Sequence, residues 1–236
     1  MSSELSPLLS VTFHREGYDH LVELVHQRDG VGRRRLAALD LTVYDVDGKL
    51  LDEIPVDPQQ EIIDLGELLG RAVAGRERVM VAFDARYDQR IFPYRPHHYG
   101  YLYKRGSSAP SLYYALAAVL GGAPDRIGAT GINNFETYLF LRRRFAERYA
   151  LLLGNLSRFS PAEAQISRFY GPARLTEKVT LAPKAHTEVA LAGEHDGHPL
   201  ERVELKALFR LASYVAGSHA ASGDLVLFDH LFTYFK

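Results

Sequence analysis

The stretch PYRPHHYGYLYKRG, residues 93–106, gathers two histidines, four tyrosines and three cationic side chains into fourteen positions. Histidine titrates near neutral pH and serves as general base or metal ligand, tyrosine offers a flat ring with a polar tip, and arginine or lysine holds anions. If residues 97–103 form a strand, alternation puts Tyr99, Tyr101 and Tyr103 on one face with His97, and His98, Gly100, Leu102 and Lys104 on the other. An exposed tyrosine row can stack on sugars, bases or a protein partner, and Arg86, Arg90, Arg95, Lys104 and Arg105 flank it to hold an anionic group. The competing reading is sheet packing, because aromatic side chains favour strands in any case. The expected ligand contacts are therefore Tyr94, Arg95, His97, His98, Tyr99, Tyr101, Tyr103, Lys104 and Arg105.

Other chemistry has weaker support. Consecutive side chains of a strand point to opposite faces, so His97 and His98 cannot ligate one metal unless Pro96 or Gly100 makes the backbone irregular. The other short histidine spacing, GEHDGHP at 193–199, places His195, Asp196 and His198 around a glycine turn with no third or fourth ligand in the pattern, and reads equally as a polar hairpin. HExxH, the G-x-S-x-G elbow around Ser218-His219 and the lysine of a phosphate loop in GGAPDRIGATG are all missing. No metal and no cofactor is expected. With no cysteine in the chain, disulfides, thiolate metal sites and cysteine nucleophiles are excluded.

The elements that would carry these residues repeat. LTVYDVDGKLLDEIPVDP, 41–58, lies 125 residues before ISRFYGPARLTEKVTLAP, 166–183, pairing Leu41 with Ile166, Tyr44 with Phe169, Ile54 with Val179 and Pro58 with Pro183. Further matches align HLVELVHQ, 20–27, with YALLLGNL, 149–156, and RVMVAF, 78–83, with ELKALF, 204–209. Each copy reads as β: Leu39, Leu41 and Val43 alternate, Asp47-Gly48 supplies a tight turn, and Leu50, Ile54 and Val56 resume the period of two. Val79, Val81 and Phe83 alternate likewise. SAPSLYYALAAVLGG, 108–122, has a cap, an early proline and a glycine stop, which predict a short helix between the halves. A second short helix is expected in DLGELLGRAVAG, while 133–155 fits both helix and strand, with strand favoured at its C-terminal end.

The expected fold is thus mostly β, two tandem homologous β-sandwich-like units from an internal duplication with a short helical connection, divided at 1–125 and 126–236. The net charge of −1 gives no global pull toward nucleic acid or an anionic membrane, and the arginine runs at 33–35 and 142–148 read as surface. No stretch approaches the ~20 apolar residues of a membrane helix, and no export signal is apparent, so a cytoplasmic protein is expected. The function expected is binding or assembly without catalysis, by a homo-oligomer that contacts a protein partner or a small anionic or polar ligand near the junction of the units. The alternative is an enzyme with a histidine site between them, in which His97 or His98 acts as base or metal ligand.

Overall fold

The computed structural model describes residues 6–24, 28–29, 32–33, 36–87, 98–120, 133–137, 146–207 and 211–231. The chain is mostly β and divides into two units: Met1–Gly106 with Ser111–Ala123, and Ser107–Pro110 with Pro124–Lys236. The first holds β1 (Ser6–Arg15), β2 (Asp19–Glu23), β3 (Arg28–Asp29), β4 (Gly32–Arg33), β5 (Leu36–Tyr44), β6 (Leu50–Val56), β7 (Ile62–Asp64), α1 (Leu65–Val73), β8 (Arg78–Tyr87), β9 (Tyr99–Tyr103), β10 (Leu112–Ala115) and β11 (Ala117–Leu120). The second holds β12 (Asn133–Thr137), β13 (Arg148–Asn155), β14 (Ala162–Tyr170), β15 (Ala173–Leu181), β16 (His186–Leu191), β17 (Glu194–His195), β18 (His198–Pro199), β19 (Arg202–Ala207), β20 (Leu211–Ser218) and β21 (Leu225–His230).

Four antiparallel sheets carry the main strands. In the first unit their orders are β11-β1-β8-β5-β6 and β10-β9-β2-β7; in the second they are β12-β19-β14-β15 and β16-β13-β20-β21. With the two-residue strands and β11 set aside, β1, β8, β5 and β6 follow one another as β12, β19, β14 and β15 do. The order β10, β9, β2, β7 likewise matches β21, β20, β13, β16.

Sequence pattern accounts for most of these elements. In β5, Leu39, Leu41 and Val43 are buried while the residues between them are partly exposed, the alternation of a half-covered sheet. The turn that follows is tied by the Asp45 carboxylate, which accepts from Asp47 N at 3.1 Å and Lys49 N at 2.8 Å, and Gly48 takes the positive φ of 83° that this turn needs. In β8, Val79 through Phe83 are buried without a break, so this central strand is covered on both faces. Asp64 caps α1 by accepting from Glu67 N at 3.1 Å, and Leu65, Leu69 and Val73 form its buried stripe. In the second unit a single core cluster joins Leu151, Leu153 and Leu211 of one sheet to Ala164, Ile166, Val203 and Leu205 of the other.

One expectation is overturned. Residues 112–120 are strands, not a helix, so no helical connection stands there. Tyr114 pairs with Gly100 in β9, and Val119 with Leu9 in β1. The chain passes from one sheet to the other at Leu116, whose amide donates to the His98 carbonyl at 2.8 Å. Two sheet edges that need partners outweigh the helical leaning of an alanine- and leucine-rich run. The C-terminal part of 133–155 is the strand β13, as its pattern favoured, and α1 falls where DLGELLGRAVAG placed it. No helix among the described residues is long and apolar enough to cross a membrane.

Candidate functional site

The sheet β10-β9-β2-β7 presents two unlike faces. Register sets Tyr113, Tyr101, Leu21 and Asp64 side by side, with Ala115, Tyr99, Glu23 and Ile62 in the next row and Tyr103 beside Asp19. These residues are exposed or partly exposed, whereas His20, Val22, Ile63, Gly100, Leu102 and Tyr114 between them are buried. The outward face is therefore a tyrosine platform. Tyr113 is 62% exposed and its ring stacks on Tyr99 at 5.2 Å and 6°. Its hydroxyl donates to Glu23 Oε2 at 3.1 Å, two strands away, so the ring lies down across β9. Partial desolvation, then the bond to Glu23, raise the pKa of this phenol.

The rest of the platform is also tied down. Tyr101 and Tyr103 pack with ring centroids 5.5 Å apart. Arg105 Nε lies 2.6 Å from Asp19 Oδ2, and hydrogen bonding to Tyr103, then the charge of Asp19, raise the guanidinium pKa. At the far end Ile62 is 55% exposed.

Beneath the platform, polar groups bridge the two sheets of the first unit. Tyr114 turns inward across β9, and this is possible because its neighbour is Gly100, where a Cβ would lie 2.3 Å from Tyr114 Cζ. The Tyr114 hydroxyl shares hydrogen bonds with Thr12 Oγ1 of β1 at 2.5 Å and His20 Nε2 of β2 at 2.7 Å. The His20 ring stacks on His14 at 5.6 Å and 13°. All four residues are buried, and Nδ1 of both histidines has no hydrogen-bond partner among the described residues. Desolvation lowers the pKa of His14 to about 4 against the opposing pull of Asp64, and desolvation with the charge of His14 lowers that of His20. The arrangement resembles a proton relay in its atoms, yet it is closed to solvent, and its plain role is to tie β10 to β1 and β2.

Of the residues singled out from sequence, the structure brings Tyr99, Tyr101, Tyr103 and Arg105 together on the platform. His98 is fully buried on the opposite side, with its ring 6.4 Å from Phe83. Lys104 is exposed just beyond β9, and Arg86 is taken up by Asp40 across β5 and β8 at 2.6 Å. Tyr94, Arg95, His97 and Arg90 lie outside the described residues. Sequence reasoning missed Tyr113 and Glu23, because they belong to strands whose pairing with β9 has no local signature.

Among the described residues the remaining histidines form no comparable site. His195 pairs with His198 in a small hairpin, with Nε2 3.3 Å from Asp196 Oδ2 and its ring beside Tyr170. Among the described residues no group of three or more histidine, aspartate or glutamate side chains could hold a metal ion. A cavity of about 590 Å³ opens in the second unit, lined among others by Glu147, Tyr149, Glu194 and Leu200. Two of its polar groups are already engaged, Glu147 by the Ala220 amide at 2.5 Å and the Tyr149 hydroxyl by the Ala146 amide at 2.9 Å. Compared with protein-family models and with curated proteins, the chain matches none of them.

Proposed function

We propose that this is a non-catalytic binding or assembly protein, built from two copies of one β-sandwich unit, whose tyrosine platform takes the ligand or partner. The observation that carries the reading is Tyr113, a large ring held flat and open to solvent by a stack on one side and a carboxylate at its tip. Fixing an aromatic ring in advance lowers the ordering cost of binding, which is why tyrosine anchors recur at recognition surfaces. The duplication is supported by the matching strand orders. The 125-residue offset also carries the spans of β5 and β6 onto those of β14 and β15, with the cross-strand register shifted by two residues between the hairpins.

The test is a parallel screen of immobilised glycans and peptides with the wild-type protein and with Tyr101→Ala/Tyr113→Ala. The variant also loses the stack on Tyr99 and the bond to Glu23, so it is expected to stay folded with a lower melting temperature, checked by its circular dichroism, and to lose the bound class. Retention of every ligand by the variant would overturn the assignment of the face.

A further inference from the structure

We infer that the platform accepts a cationic side chain, an arginine or lysine carried by a segment of a protein partner, seated on the Tyr113 ring beside Glu23. The inference rests on the reading of this face as a binding surface and adds the chemistry of what it binds.

Charge decides among the ligands that stack on tyrosine. One side of the Tyr113 ring rests on Tyr99, and the other is open. That open face is the negative pole of the ring quadrupole, and it attracts ammonium and guanidinium groups. Glu23 stands at the ring's edge with an exposed carboxylate. A carboxylate has about four acceptor positions, and the Tyr113 hydroxyl uses one of them. An incoming guanidinium can therefore lie on the ring and donate to Glu23 together. An anion meets the opposite situation, because Arg105 already pairs with Asp19 and bonds to Tyr103. Arg105 is thus not an open anion site, whereas Arg90 and Arg95 lie outside the described residues.

The apolar surround argues for a macromolecule rather than a free cation. Tyr101 and Ile62 extend the face on either side at 38% and 55% exposure. On the corresponding face of the second unit Leu152, Tyr214, Phe228 and His230 are buried, while Glu188 of β16, the neighbour of Leu152, is exposed.

The experiment is a titration of the full chain, with labelled tyrosines followed by NMR, using three probes: N-acetyl-arginine methylamide, its uncharged citrulline isostere, and maltotriose. Arginine amide is expected to shift the ring signals of Tyr113 and Tyr99 and to bind about fivefold more tightly than citrulline, as an exposed cation–π contact beside a carboxylate allows. Glu23→Gln should reduce that preference, and Tyr113→Leu should abolish the binding. Citrulline or maltotriose binding as tightly as arginine amide on the same ring would overturn the cation inference while leaving the binding face intact. Arginine amide binding that is indifferent to Tyr113→Leu would overturn both. Absence of any arginine-dependent shift would overturn the cation inference, and the ligand screen with the double alanine variant would then decide the face separately.

Discussion

The buried histidine pair makes the first unit acid-sensitive by an amount that can be worked out. His14 and His20 are held as neutral imidazoles, stacked 5.6 Å apart, with His20 hydrogen-bonded to Tyr114. In the unfolded chain each takes up a proton as pH falls through about 6.5. In the folded chain His14 does so only near 4. The unfolded state therefore binds more protons between these values. The stability contribution is complete above about pH 6.5, is lost as pH falls toward 4, and falls no further below that. A separation from 6.5 to about 4 amounts to about 3 kcal/mol in full, and to about 2 kcal/mol by pH 5, from His14 alone. His20, whose pKa is lowered in the same direction, adds to the loss. Domains are commonly stable by only about 5–15 kcal/mol, so the effect should be large in urea unfolding followed at pH 7.5, 6, 5 and 4.5. His14→Phe keeps a ring on His20 and removes one titrating group. Its stability should fall less than that of the wild type between pH 7.5 and 5, by about 2 kcal/mol. Equal pH slopes for the two proteins, or a wild type indifferent to pH across this window, would refute the reasoning.

Two further substitutions probe the frame. Gly100→Ala would place a Cβ 2.3 Å from Tyr114 Cζ and displace its bonds to Thr12 and His20, with an expected cost of about 3 kcal/mol or more in chemical unfolding; a change under about 0.5 kcal/mol would mean that Tyr114 is not fixed there. Asn155→Ala removes amide bonds to the carbonyls of Ser160, Leu181 and Ala182 and an acceptor for Ser157 N. Because these groups are buried or partly so, a loss of about 2–4 kcal/mol is expected in the same assay, and a variant as stable as the wild type would show that water replaces the side chain at no cost.

What the sequence made legible was governed by short-range rules. A period of two assigns Tyr99, Tyr101 and Tyr103 to one face and His98, Gly100 and Leu102 to the other, and the structure has them so. The Asp45–Lys49 turn and the stripe of α1 are equally local. The segment 112–120 was misread because its helical leaning is intrinsic, whereas its strand state depends on β9 and β1, far away in sequence. Tyr113, Glu23 and the His14–His20 stack escaped for the same reason: each joins residues whose proximity is created by strand pairing or by facing sheets. Gly100 was the available clue. A glycine inside an aromatic strand marks a place where another group approaches closely, and here that group is Tyr114.

The position of Tyr114 links the core to the platform. β10 has four residues and lies at the edge of its sheet, paired among the described residues with β9 alone. An edge strand this short is poorly held by its ladder alone. Tyr114 anchors it from within through Thr12 and His20, while the next residue back, Tyr113, anchors it from outside through Tyr99 and Glu23. Because successive side chains of a strand point to opposite faces, anything that fixes the inward ring fixes the height and direction of the outward one. The interior bridge is thus a support for the tyrosine platform, and the binding proposed for that face would use such a support to hold a contact group in place before its ligand arrives. It also explains why groups with the look of catalytic parts sit where no substrate can reach them: their polarity is used to position β10, and their burial keeps the histidines neutral while they do so.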